Sequence, residues 1–160
     1  MDWLIIVTLL LLCFAVAGLR GAPWLPTRRV DVDALLDDVD IKSGQLFLEL
    51  GCGDGRVVAA AAKRGARAIG YEINPLLWLI ASVRCLPQYP RAKIRLGNFW
   101  SVNLAQADVV MIFLIDRFMA RFETKAKQQM RPGSKLVSYV FRLPKKRPLR
   151  SGNRWFIYRY

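Results

Sequence analysis

Hydrophobic positions divide the chain into two regimes. Trp3 to Leu19, WLIIVTLLLLCFAVAGL, carries no charge, and only Thr8 breaks its apolar surface. As a helix it would extend roughly 25 Å, close to the thickness of a bilayer core. It therefore predicts one N-terminal transmembrane helix, residues 1–20 acting as an anchor. A secretory signal would need basic residues at its start, whereas this chain begins Met1-Asp2. Arg20, Arg28 and Arg29 follow the segment, and the positive-inside rule then leaves the remainder in the cytoplasm. Residues 21–41 read as a linker with an acidic helix, VDVDALLDDVD, in which Ala34, Leu35, Leu36 and Val39 form a short stripe. From Lys42 to Tyr160 the pattern changes to short strand-like runs at 46–50, 67–72, 92–96, 107–115, 135–141 and 154–160. Between them lie helical stretches: GRVVAAAAKRG, NPLLWLIASVRCL and 117–130. Such alternation predicts an α/β domain, a largely parallel sheet covered on both faces. Ligands of these sheets bind beyond the carboxyl ends of the strands.

The first strand ends in ELGCGDGR, residues 49–56, three glycines within five positions directly before a helix. Gly51, Gly53 and Gly55 allow a tight turn and close approach of a ligand to the backbone. Glu72 closes the second strand, 17 residues after Gly55, where a carboxylate can accept ribose hydroxyls. The ligand is therefore expected to be a nucleoside. A pyrophosphate would be repelled by Glu49 and Asp54, which flank the glycines, whereas an ammonium and a sulfonium would be attracted. That selects S-adenosylmethionine.

Composition and charge narrow the chemistry further. The chain has 160 residues, room for one main domain. It contains no His, and Cys13, Cys52 and Cys85 are scattered without metal-ligand spacing, which argues against a zinc site or a His-based triad. The formal net charge is +13, and from Arg117 onward thirteen Lys and Arg residues face the single acid Glu123. Contact with anionic headgroups, or plain solvation, accounts for this surface at lower cost than nucleic acid does in a chain already held at a membrane. Membrane lipid is thus an expected partner and nucleic acid is not.

ELGCGDGR followed by GYEINP resembles the class I, seven-strand methyltransferases. The chain as a whole is similar to the small membrane-anchored lysine methyltransferases related to those acting on the adenine nucleotide translocase and the ATP synthase c-subunit. The likeness rests on PWLPT, the ELGCGDGRVVAAAAKRGARAIGYEINPLLW block, GNFW, ADVVMIFL and GSKLVSYVFRLP, and covers most of residues 20–160. It implies a three-layer Rossmann-like sheet and a lysine of a membrane-associated protein as methyl acceptor. The loop Glu49, Gly51, Cys52, Gly53, Asp54 and Gly55 would lie under the methionine moiety, with Glu49 or Asp54 near its amino group. Glu72 would hold the ribose, Ile73 and Asn74 would border the adenine, and Asn98 would accept from its amino group. Phe99 or Trp100 would cover the ring. About twenty residues follow KLVSYVF, so the fold is expected to be shortened at its C-terminus, without the last helix and with RWFIYRY closing the sheet.

Asp116, at the end of the fourth strand in FLIDRF, is the acid positioned to draw in a lysine ammonium and help remove its proton. The same position equally suits a cap of the following helix. Two other functions fit the residues: methylation of RNA or a small lipid-soluble molecule, and a non-catalytic S-adenosylmethionine-binding module.

Overall fold

The computed structural model describes Trp3, Leu4, Val7, Thr8 and residues 25–160. Most of the apolar segment read as an anchor lies outside the described residues. Among those described, no helix is long and apolar enough to cross a membrane.

Helix α1 (Arg29–Val39) buries Val32, Leu35, Leu36 and Val39 on one side and ends at Asp40 in the left-handed conformation. Ala34, expected on that stripe, is exposed, and Val32 takes its place. Strand β1 (Leu46–Leu50) leads through the glycine turn into α2 (Arg56–Lys63). Strand β2 (Arg67–Glu72) is followed by α3 (Pro75–Cys85), then β3 (Ala92–Leu96) and β4 (Val109–Ile112). Helix α4 (Asp116–Gln129) precedes β5 (Lys135–Tyr139), and β6 (Arg150–Ser151) and β7 (Trp155–Arg159) form a closing hairpin. Helix α3 begins as sequence rules require. Asn74 occupies the N-cap, its Oδ1 accepting from the Leu76 and Leu77 amides at 2.9 and 3.4 Å, and Pro75 fills the first turn.

The strands form one seven-stranded sheet in the order β3-β2-β1-β4-β5-β7-β6. All pairs are parallel except those of β7, which runs antiparallel to both β5 and β6. The order reverses between β1 and β4, so the crevice at their carboxyl ends is the topological switch point. Each side of the sheet has its own core. Phe47, Ala68, Val109, Met111, Val137 and Ile157 pack under α1, α2 and α3. Leu48, Leu50, Val110, Ile112, Leu136 and Tyr158 pack with Met119, Phe122 and Ala126 of α4. The alternation along each strand thus divides one continuous apolar run between two layers.

Two strands differ from the sequence pattern by more than one residue at an end. The fourth strand spans four residues rather than nine, because only Val109–Ile112 pair with both neighbours. The fifth stops at Tyr139, where Val140 takes φ 71° and turns the chain. The sheet continues beyond β5 as expected, without an intervening helix among the described residues. The link that replaces it is held by side chains. Glu123, nearly buried on α4, accepts from the Lys145 and Lys146 amides at 3.1 and 2.7 Å, and the Tyr158 hydroxyl accepts from Leu143 N at 2.8 Å.

Candidate active site

The glycine turn sits at the carboxyl end of β1, beside the switch point. Gly51 has φ +80°, and a Cβ built there meets no atom within 4 Å, so the backbone faces open space on the ligand side. Gly55 has φ +74°, and a Cβ there would lie 2.9 Å from Ala81 Cβ, pressing α2 away from α3. One glycine keeps the mouth clear and the other keeps two helices together.

Glu72 organises this turn from the end of β2. Its Oε2 accepts from Gly53 N at 2.9 Å, and its Oε1 accepts from Ile73 N and Asn74 N, both at 2.8 Å. Three of the roughly four acceptor positions of a carboxylate are occupied, leaving one for a ligand hydroxyl. Burial raises the Glu72 pKa, and the three amides oppose that rise. The turn and Glu72 therefore form a single hydrogen-bonded unit.

The two other carboxylates diverge. Asp54 is clamped by Arg56, whose Nε and Nη2 lie 2.9 and 2.7 Å from it, and by Arg84 Nη2 at 3.1 Å. Burial pushes its pKa up, but the Arg56 hydrogen bond and the charges of Arg56 and Arg84 outweigh this and hold it below the usual value. Its carboxylate is committed to bracing α2 against α3 and is not turned to a ligand amino group. Glu49 is the opposite case. It is buried, its Oε2 has no hydrogen-bond partner among the described residues, and burial followed by the Asp54 charge raises its pKa well above the ordinary range. An orphaned, destabilised acid beside an open glycine turn is what a cationic ligand would satisfy.

The remaining sequence candidates separate into exposed and buried groups. Cys52 turns into the core: a Cβ on Gly70 would lie 2.7 Å from its Sγ, so Cys52 offers the ligand only its backbone. Ile73 is half-buried, whereas Asn74 is buried as the α3 cap, with its Nδ2 unpartnered among the described residues. Asn98 is exposed at the end of β3, one lone pair of Oδ1 already taken by Trp100 N at 3.0 Å. Phe99 belongs to the core beneath α4, which removes it as a cover for the adenine ring. Trp100 is half-buried, with the Arg121 guanidinium 4.1 Å from its ring centroid. Asp116 is exposed at the first position of α4. Ile115 holds the cap position there, and no side chain among the described residues caps the helix.

Sequence reasoning missed a strap over the strand ends. Arg56 Nη1 donates to Thr27 O at 2.9 Å, and four residues later Asp31 Oδ2 accepts from the Tyr139 hydroxyl at 2.5 Å. Residues 27–31 therefore run from the start of α2 to the end of β5. Both Asp31 and Tyr139 are buried, and Phe113 lies edge-on against Tyr139. A signal existed: Asp31 falls on the apolar stripe of α1, four residues before Leu35 and eight before Val39.

The strand order and the glycine–carboxylate unit define a class I methyltransferase, and its cofactor is S-adenosylmethionine. Known proteins agree. Residues 49–150 match the family model described as the ANTKMT methyltransferase domain. A protein-lysine N-methyltransferase of Saccharolobus islandicus is 31% identical over 76% of this chain and 78% of its own length. The lysine N-methyltransferase that acts on the ATP synthase c-subunit in Rattus norvegicus is 32% identical over 76% of the chain but only 57% of that protein. Among solved structures, an RNA methyltransferase from Salinibacter ruber in complex with S-adenosyl-L-homocysteine superposes with TM-score 0.79 and 26% identity, over 84% of this chain and 93% of that one. The chain belongs to the ANTKMT methyltransferase domain family.

Proposed function

We propose that the chain transfers methyl groups from S-adenosylmethionine to a lysine ε-amino group of a protein held at a membrane. The observation that carries this reading is the unit of Glu49, the glycine turn and Glu72 at the switch point, in a chain whose relatives include named lysine methyltransferases. S-adenosylmethionine supplies a methyl group already activated by its sulfonium. Gly51 lets the methionine moiety approach the backbone, Glu49 balances the incoming positive charge, and Glu72 fixes the ribose with its free acceptor position. Orientation and exclusion of water then contribute most of the rate. Asp116 attracts the acceptor ammonium to the end of β4 and draws off its proton before displacement. Residues 1–20 act as the anchor and keep the domain at the cytoplasmic face of the bilayer.

The test is transfer of labelled methyl into membranes lacking this protein, comparing the intact chain with Glu72→Ala. A discrete labelled protein that requires Glu72 and releases methyl-lysine on hydrolysis is the expected result. Label confined to lipid would overturn the protein acceptor, and bound cofactor without any transfer would indicate a sensor. An RNA acceptor is the rival favoured by the Salinibacter structure and the basic C-terminal third. It would appear as salt-sensitive labelling of RNA.

A further inference from the structure

Helix α3 is apolar on almost every side, yet this domain buries only one of its faces. Leu77, Ala81 and Cys85, spaced four apart, pack against the sheet and α2. On the opposite side Leu79, Ile80, Val83 and, just past the helix, Leu86 form a stripe whose members are between 42% and 66% exposed. A solvated helix carries polar residues there, and one that is hydrophobic on both faces has a second apolar environment.

The surroundings indicate which environment. No Asp or Glu occurs from Ile73 to Ala107, while Arg91, Lys93 and Arg95 are all exposed on or beside edge strand β3. A groove between α3 and β3 is lined by Leu86, Tyr89, Lys93 and Arg95, so the cations border the stripe directly. A second copy placed symmetrically on this face would bring like charges together. An anionic bilayer meets both requirements, taking the apolar stripe into the headgroup boundary and the cations among the phosphates.

We infer that the outer face of α3, with the basic edge of β3, lies on an anionic lipid surface. This contact is distinct from the N-terminal anchor. Because α3 runs back along β2 and β3, the docked sheet stands on its β3 edge with its strands along the bilayer plane. The carboxyl-end crevice then opens sideways over the membrane surface, at the height of short loops of embedded proteins.

The test uses the full chain with Cys13→Ser and Val83→Cys, carrying an environment-sensitive fluorophore at position 83. Lys127→Cys on α4 is the control, and the buried Cys52 and Cys85 remain unlabelled. The probes are vesicles of phosphatidylcholine with or without phosphatidylserine, each with brominated acyl chains. Quenching at position 83 is expected to exceed that at 127 by at least about threefold with phosphatidylserine, and to fall when the anionic lipid is omitted or Leu79→Ser and Leu86→Ser are added. Water-like emission at position 83 on chain that sediments with the anionic vesicles would overturn the inference. So would an apolar environment already present without lipid: if dependent on concentration it would assign the stripe to a second copy, and otherwise to the chain's own N-terminal segment. Neither cofactor nor acceptor enters the assay, so its outcome is independent of the methyltransfer reading.

Discussion

The two halves of the sheet treat their acids differently. In the β1–β2–α2 half, Glu72 is held by three amides and Asp54 by two guanidiniums, and Glu49 is buried with one oxygen unpartnered among the described residues. In the β4–β5–α4 half, Glu123 is held by two amides away from the strand ends, and the acid at the strand ends, Asp116, stands exposed at the start of α4. The first half holds Glu72 and Asp54 in place through hydrogen bonds made within the fold itself. The second is open, and its geometry is completed by whatever docks there. On the proposed function, cofactor binding is built into the fold, while acceptor choice depends on exposed groups and on how the domain is presented.

The largest effect should come from breaking the first half at its centre. Glu72→Ala removes the acceptor of three amides, each costing about 1–3 kcal/mol when buried without a partner. Cofactor affinity, measured by equilibrium dialysis, should fall more than about a hundredfold. Glu72→Gln should lose less, since its remaining oxygen still serves Ile73 and Asn74.

Next in size is the open half. Asp116→Ala should lower kcat by roughly a hundredfold, the scale of a lost acid–base group. The cofactor Kd should stay unchanged, which single-turnover kinetics alongside dialysis would check. Equal losses in Kd and kcat would mean that the halves are not separable.

Glu49 sharpens the contrast. Its pKa is raised in the folded protein by burial and by Asp54. The folded state thus holds a proton that the unfolded state has released, and stability falls as pH rises from the ordinary carboxylate value to the folded one. A cationic ligand prefers the ionised acid, so cofactor affinity should rise over the upper part of that window. Glu49→Gln should flatten the pH dependence, weaken binding about tenfold and raise the melting temperature of the ligand-free protein by roughly 2–4 °C for each kcal/mol relieved. Calorimetry with and without S-adenosylhomocysteine reads all three.

The smallest effect concerns the strap that joins the halves. Tyr139→Phe leaves Asp31 buried without its hydroxyl partner, which should cost about 1–3 kcal/mol in chemical denaturation. Cofactor affinity should change by less than about twofold, since Glu72 ties the glycine turn to β2, and the strap meets the turn through Arg56 at its other end rather than through Tyr139.

Much of this was legible beforehand because it is local. The period-2 and period-3.6 patterns, the Asn74-Pro75 helix start and the spacing of the glycine turn from Glu72 depend on neighbours within a few residues or on one strand–helix–strand unit. What only the tertiary structure decided is how chemically similar side chains were assigned. Asp54 and Glu49 are both acids beside the glycines, yet Arg56 and, from thirty positions away, Arg84 claim the first, while the second keeps one oxygen unpartnered among the described residues. Phe99 and Trp100 are adjacent aromatics, and the packing of α4 drew the first into the core. Asp31 became a buried partner of Tyr139 across 108 positions. Local sequence determines which groups a segment offers, whereas burial and long-range pairing fix the dielectric and the partners each group meets, and those set its charge and its role.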